Sequence, residues 1–159
     1  MQTHDPRNKR SRSNSHSTLS LRRRFTVGEM QINYLAVLAS GISNMVIGFL
    51  WYGPLFGKKW MALSGYTEEQ VKSMNPGPLY GQSFVAALLT YYILARFMAG
   101  TTTVMHGIET ACLVWLGFVT TVQFTASLFS TRPKALYFLD TGYQFASFIA
   151  AGIIIALWR

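Results

Sequence analysis

Four apolar stretches, each long enough to cross a lipid bilayer, constrain the fold of this chain more than any other feature of its sequence. They run from about residue 32 to 52, 82 to 99, 107 to 129 and 135 to 158. A helix of about 20 residues crosses the roughly 30 Å of bilayer hydrocarbon, and none of the stretches alternates as a membrane β-barrel requires. We therefore predict an all-α membrane protein whose residues 30–159 form a four-transmembrane-helix antiparallel bundle.

The first 29 residues have a different composition. The chain is only 13% charged, too little for a typical soluble domain, yet seven of its 14 basic residues precede Met30. This Ser-, Arg- and Asn-rich segment is predicted to be a basic disordered tail. Three alternatives stay open: a mitochondrial presequence, a twin-arginine export signal around Arg22 and Arg23, and translation that starts at Met30.

The loops differ in length and charge. Residues 53–80 form the long loop, in which Lys58, Lys59 and Trp60 suit the lipid headgroup layer. Thr67 and Gln70 form a capping box that predicts a short helix. Gly53 and Pro54 are predicted to end the first span, and the short helix to close before residues 75–78.

We call the side of the first span's N-terminus side A and the other side B. Basic loop residues concentrate on side B, which favours side B in the cytoplasm, whereas the basic tail favours the reverse. The orientation therefore stays open, with a preference for side B inside. The side B residues are Lys58, Lys59, Lys72, Arg132 and Lys134.

Two charged residues near side A are predicted to form a structural ion pair within the membrane. Arg96 near the end of the second span and Glu109 near the start of the third lie about equally far from the turn between them. An antiparallel hairpin would place them at one depth, where a charge needs a partner. His106 is one turn from Glu109 and is interpreted as solvated rather than functional.

Asp140 is the acidic residue for which placement within a predicted span costs the most free energy. It lies about one and a half turns into the fourth span and is followed on the same helical face by Tyr143, Gln144 and Ser147. We expect the side chain that pairs with the Asp140 carboxylate to come from side B. Asp140 has either a structural role or a role in binding a ligand or proton, and both interpretations stay open. The candidate partners are Lys58, Lys59, Tyr52, Gln82 and Lys134.

Other polar and small residues are interpreted as packing positions. Ala36, Ser40, Asn44 and Gly48 recur at every fourth position of the first span and predict a close helix contact. A second seam is predicted in the third span from Thr120, Gln123 and Ser127. Trp115 and Cys112 are interpreted as buried packing residues, and the three histidines lack the spacing of a metal site.

The core of the chain resembles the uncharacterised membrane family called domain of unknown function 1761. The likeness covers residues 32–158 and rests on INYLAV at 32–37, WYGPLFGKKWM at 51–61, WLGF at 115–118 and RPKALYFLDTGYQ at 132–144. The resemblance implies a small four-helix membrane protein and carries over no catalytic residue. It also implies that the tail is an addition to the family's core.

The two most specific of these segments, 51–61 and 132–144, both fall at side B. They predict one ligand or partner site there, and we predict no catalytic residue, metal or cofactor. The residues of the predicted site are Tyr52, Lys58, Lys59, Trp60, Asp140, Tyr143 and Gln144.

Three functions are compatible with this reading. The first is a non-enzymatic helical bundle that binds a lipid, small ligand or protein partner at side B. The alternative is a small oligomeric proton- or ion-coupled transporter or channel that uses Asp140. A membrane enzyme is the third, and the sequence contains no motif for it.

The predicted binding partners and cellular location of the protein follow from the four predicted spans. The partners are the lipid bilayer and either a second copy of the chain or another membrane protein, and nucleic acid is excluded because the basic tail lacks interleaved aromatic residues. The predicted location is the cell membrane rather than an organelle membrane.

Overall fold

A computed structural model of the chain describes residues 32–100 and 103–158, so the predicted basic tail lies outside the described residues. Every regular element in the described part is helical. Two helices are prolonged by π-helical segments, α1 by Trp51–Leu55 and α5 by Trp115–Thr120. The α-helices are α1 Tyr34–Leu50, α2 Gly57–Ser64, α3 Glu68–Ser73, α4 Pro76–Phe97, α5 Val104–Val114, α6 Thr121–Leu128 and α7 Lys134–Leu157.

Three helical stretches of the described chain are long and apolar enough to cross a membrane. They are Tyr34–Leu55, Val104–Leu128 and Lys134–Leu157. They correspond to the predicted first, third and fourth spans, and they indicate a membrane protein. The predicted second span falls within α4, which is long enough but less apolar.

Side-chain caps explain where several helices begin. Asn33 accepts hydrogen bonds from the backbone N–H groups of Leu35 and Ala36 at the start of α1. The predicted capping box is confirmed, since Thr67 and Gln70 each bond to the other's backbone N–H at the start of α3. These caps satisfy N–H groups that the first helical turn leaves unpaired.

α4 begins earlier than the sequence analysis predicts. It starts at Pro76 rather than near residue 82, because Asn75 caps it by accepting a hydrogen bond from the N–H of Gly77. Proline has no N–H and its fixed φ suits the first turn of a helix. The residues interpreted as a helix-closing loop therefore start the next helix.

The first span also ends later than predicted. Gly53 and Pro54 lie inside the π-helical segment, whose last turn is closed by a 2.9 Å hydrogen bond from the N–H of Phe56 to the carbonyl of Trp51. The chain then turns tightly at Gly57. A Cβ on Gly57 would lie 2.6 Å from the carbonyl oxygen of Tyr52, so this position requires glycine.

The packing order of the helices differs from their order in the sequence. α1 packs against both α4 and α7, and α7 packs against both α1 and α5, while α4 and α5 make little contact. Asn33 at the start of α1 donates to the carbonyl of Trp158 after the end of α7, at 2.7 Å. Trp51 at the other end of α1 donates to the carbonyl of Leu139 early in α7. α1 and α7 therefore run in opposite directions.

Glycines bring α5 and α7 into close contact. A Cβ on Gly107 would lie 2.8 Å from the carbonyl oxygen of Gly152, and a Cβ on Gly152 would lie 2.8 Å from that of Gly107. Ala111 and Ala156 lie one turn beyond each glycine, so both helices present a small-xxx-small pattern. This contact makes α7, rather than α4, the main neighbour of α5.

The predicted ion pair between Arg96 and Glu109 does not form in the described part of the chain. The ion pair found there joins Lys72 and Glu68 of α3, at 3.9 Å. Arg96 and Glu109 are both exposed. Because α5 packs on α7, the two helices that carry these charges are not the tight hairpin that the pairing requires.

The buried core lies in the half of the molecule nearer side A. It comprises the start of α1, the second half of α4, the second half of α5 and the second half of α7. Leu94, Met98 and Ala111 in this region have no exposed surface. The side B half of the same helices is not closed in this way. The described helices are thus packed tightly at one end and open at the other.

Candidate ligand-binding cavity

A cavity of about 1010 Å³ occupies the side B half of the molecule. Its walls come from the second half of α1, the first half of α4, α6, the first half of α7 and the two short helices α2 and α3. The volume is at the upper end of the range for small-molecule sites, about 300–1,000 Å³. Six of the seven predicted site residues line it: Tyr52, Lys58, Trp60, Asp140, Tyr143 and Gln144. Lys59 is exposed and does not line the cavity.

Asp140 and Tyr52 form the polar contact at the centre of the predicted site. The Tyr52 hydroxyl donates a hydrogen bond of 2.8 Å to Oδ1 of Asp140. Of the partners that the sequence analysis considers, the structure thus selects Tyr52. Arg132 acts electrostatically on the carboxylate, but no ion pair of 4.0 Å or less holds Asp140 within the described residues.

Two indole groups fix the turn of α7 that carries Asp140. Trp51 from α1 donates to the carbonyl of Leu139, and Trp115 from the third span donates to the carbonyl of Thr141, each at 3.2 Å. These carbonyls belong to the residues directly before and after Asp140. The two tryptophans therefore attach α7 to its neighbours on either side of the carboxylate. No partner for Trp51 is predicted from the sequence.

A second polar cluster lies deeper along α1. Oδ1 of Asn44 accepts hydrogen bonds from the hydroxyls of Tyr91 in α4, at 2.8 Å, and Tyr143 in α7, at 3.0 Å. Asn44 and Tyr91 are both buried. One amide oxygen thus connects α1 to both of its neighbours, and Asn44 and Tyr143 also line the cavity.

Aromatic rings form part of the cavity wall beside Asp140. The ring centroid of Tyr52 lies 5.2 Å from that of Tyr143 and 5.8 Å from that of Trp60, with the rings inclined at 61° and 74°. Trp60 in turn stacks on Tyr66 at 5.7 Å. The wall is therefore a set of inclined rings that connects α1, α2 and α7.

The charges of the cavity differ in their exposure. Lys58, Glu68 and Arg132 line it and are exposed, so water screens them. Asp140 is only partly exposed and, of the four charged residues in the described cavity wall, is the one that lies within a candidate span. The charge least screened by water in the cavity is therefore negative.

Comparison with known proteins gives the family. A family model described as "Protein of unknown function (DUF1761)" matches residues 35–156. The chain belongs to the DUF1761 family. This confirms the resemblance seen in the sequence. No curated protein and no solved structure matches the chain.

Every described residue that lines the cavity lies within the part of the chain that matches DUF1761. Both segments that carry the most specific resemblance, 51–61 and 132–144, contribute to its wall. The described wall of the cavity therefore lies within the family's part of the chain.

Part of the site is not predicted from the sequence. Asn44 is predicted only as a packing position of the first span, and its partner Tyr91 is not predicted at all. An amide in the middle of an apolar span was the available signal, because a buried amide needs hydrogen-bond partners. The contribution of α4, through residues such as Ser83, has no signal in the sequence, since it depends on which helices become neighbours.

Proposed function

We propose that this DUF1761 protein is a four-span, antiparallel membrane bundle that binds an amphipathic small molecule or lipid in the side B cavity. The observation that carries the proposal is the cavity of about 1010 Å³, whose wall combines an intramembrane carboxylate with aromatic and aliphatic side chains. A site of this size, mostly apolar with a few polar groups, suits a ligand with an apolar body and one polar end.

The surface of α4 supports four spans rather than three. Val85, Leu89, Ile93 and Phe97 recur at every fourth position and are 66%, 61%, 45% and 58% exposed. A continuous apolar ridge of this kind is unfavourable in water, whereas lipid chains cover it without cost. At 1.5 Å per residue, the 22 residues of α4 extend about 33 Å, enough to cross the hydrocarbon.

Transport driven by Asp140 is the weaker candidate. It uses the same carboxylate and the same cavity, but a transported ion or solute must also leave through side A. There the helices are packed around Leu94, Met98 and Ala111, which have no exposed surface. Transport would therefore require this core to separate, whereas ligand binding uses the cavity as it is.

Filling the cavity tests ligand binding. Ser83 in α4 lines the cavity, and Ser83→Trp places an indole in it. The purified chain in maltoside micelles is mixed with dodecyl amphiphiles carrying trimethylammonium, glycerol or carboxylate head groups. Native mass spectrometry then counts the complexes. We expect a one-to-one complex with the unaltered chain and its loss in Ser83→Trp.

The matched control is Ala86→Trp, an equally large change on the same helix. Ala86 is exposed but does not line the cavity, so this variant is expected to keep the complex. If none of the three amphiphiles binds the unaltered chain, or if Ser83→Trp and Ala86→Trp bind them equally, the proposal is wrong.

A further inference from the structure

The charged groups of the cavity define which ligand head group it can accept. Asp140 is the seventh residue of α7, so it lies about 9 Å along the helix from its first residue at 1.5 Å per residue. Its hydrogen-bond partner, the Tyr52 hydroxyl, is neutral. Lys58 and Arg132 are exposed and face the same cavity together with exposed Glu68. The water-screened groups thus carry charges of both signs, and the partly buried group is an anion.

The rings beside Asp140 favour a particular kind of cation. Tyr52, Trp60 and Tyr143 all line the cavity, and Tyr52 contacts the other two rings. The two contacts are edge to face, so the three rings do not form a flat stack and present both edges and faces along the cavity wall. Aromatic walls attract alkylated ammonium groups through their π faces, and the methyl groups also contact the rings. A carboxylate among such rings supplies the counter-charge.

The cavity wall also has an apolar region, which can contact the hydrocarbon chain of a ligand. Phe49, Leu79 and Leu136 line the same cavity as Asp140 and the rings. A ligand with a hydrocarbon chain can place that chain against these residues while its head group reaches the carboxylate. Neither a small inorganic cation nor a fully apolar molecule uses both parts of the wall.

We propose that the cavity selects amphiphiles that carry an ammonium head group, quaternary in preference to primary, with Asp140 as counter-ion and Tyr52, Trp60 and Tyr143 as the walls around the head group. The inference rests on the ligand-binding function proposed above and specifies its ligand. A head group with a net negative charge is disfavoured, because it would meet the Asp140 carboxylate where water screens it least.

The test compares head groups on one alkyl chain. Binding of dodecyltrimethylammonium, dodecylammonium, 1-O-dodecylglycerol and dodecanoate is measured by native mass spectrometry of the full chain in maltoside micelles. We expect trimethylammonium to bind about tenfold tighter than glycerol, the scale of a cation–π contact combined with a charge pair. Dodecanoate is expected to bind most weakly.

Two variants assign the preference to residues. Asp140→Asn keeps an oxygen that can accept from Tyr52 but removes the charge, so it is expected to abolish the advantage of both ammonium probes over glycerol. Trp60→Leu keeps an apolar side chain but removes a ring, so it is expected to reduce the advantage of trimethylammonium over primary ammonium. Unchanged glycerol binding shows in each case that the cavity is intact.

The outcomes separate this inference from the proposed function. If glycerol and trimethylammonium bind the unaltered chain equally, or if Asp140→Asn keeps the preference, the head-group inference is overturned and cavity binding stands. If no probe binds the unaltered chain, both fail. If Asp140→Asn also loses glycerol binding, Asp140 shapes the cavity rather than selecting charge, which likewise overturns the inference.

Discussion

Asn44 holds three helices together with one side chain. Its amide oxygen accepts from Tyr91 and Tyr143, which come from the two helices that flank α1. Tyr91 is only 2% exposed, so its hydroxyl is shielded from bulk water and donates to this acceptor, with the Ser147 hydroxyl as a second polar group nearby. A buried donor without a partner costs about 1–3 kcal/mol, more than a made hydrogen bond contributes.

Removing the acceptor is therefore expected to destabilise the bundle. Asn44→Ala should lower the free energy of unfolding by about 1–3 kcal/mol, because it removes the oxygen to which the buried Tyr91 hydroxyl donates. Unfolding in a titration with denaturing detergent, followed by circular dichroism, measures the change.

A double-mutant cycle checks the cause. In a Tyr91→Phe background the orphaned hydroxyl is absent, so Asn44→Ala should cost clearly less than it does in the unaltered chain. Equal losses in both backgrounds would mean that the stabilising contribution of Asn44 does not pass through Tyr91.

At the scale of helices, the contact between α5 and α7 determines the packing order. Gly107 and Gly152 allow the two backbones to approach so closely that a Cβ on either glycine would lie 2.8 Å from the carbonyl oxygen of the other. In lipid, helices associate through close packing rather than through hydrophobic burial. This contact therefore has more influence on the arrangement than the apolar surface of either helix.

A single methyl group at this contact is expected to push the helices apart. Gly152→Ala should destabilise the bundle by about 1–3 kcal/mol, as overpacking does in a well-packed interior. Gly81→Ala is the matched control, because Gly81 lies within α4 and a Cβ there meets nothing within 4 Å.

The control should be neutral or slightly stabilising, since alanine is favoured over glycine inside a helix by about 0.5–1 kcal/mol. Both variants are compared by their unfolding midpoints in the same detergent. A Gly152→Ala variant as stable as Gly81→Ala would contradict the close approach of α5 and α7.

At the scale of the whole molecule, the bundle combines a packed side A half with an open side B half. The core residues hold α1, α4, α5 and α7 together at one end, while the cavity occupies the same bundle at the other. The proposed amphipathic ligand suits such a division, because the packed half would maintain the fold while the ligand enters the open half.

The proposed topology is tested by the side from which three positions can be labelled. Ser73 precedes α4, Thr103 follows it, and Thr131 follows α6. In a Cys112→Ala background, single cysteines at these positions are reacted with a membrane-impermeant maleimide on intact cells and on inverted vesicles. Four spans predict Ser73 and Thr131 on one side and Thr103 on the other.

If α4 does not cross the membrane, Ser73 and Thr103 react from the same side and Thr131 from the opposite one. That pattern would replace the four-span bundle with three spans. The side shared by Ser73 and Thr131 also gives the orientation, for which the loops and the tail predict opposite answers.

The sequence by itself determined three of the four predicted spans, at about residues 32–52, 107–129 and 135–158, which correspond to helices long and apolar enough to cross a membrane at Tyr34–Leu55, Val104–Leu128 and Lys134–Leu157. A long uncharged apolar run leaves a chain few alternatives to a helix in lipid. It also determined that Asp140 needs a partner and that Tyr52 is a candidate, since a carboxylate within a span is too costly to leave alone. The capping box at Thr67 could also be predicted, because both of its residues lie within one short stretch of sequence.

Only the tertiary structure decided which helices are neighbours, and with them the cavity and the separation of Arg96 from Glu109. Helix neighbours in lipid depend on where small residues allow close approach, and many glycines in these helices offer no such contact, as Gly81 and Gly117 show. The hydrogen bonds by which Asn44 connects three helices also depend on which helices are neighbours. Its amide has partners only because the packing brings Tyr91 and Tyr143 to it.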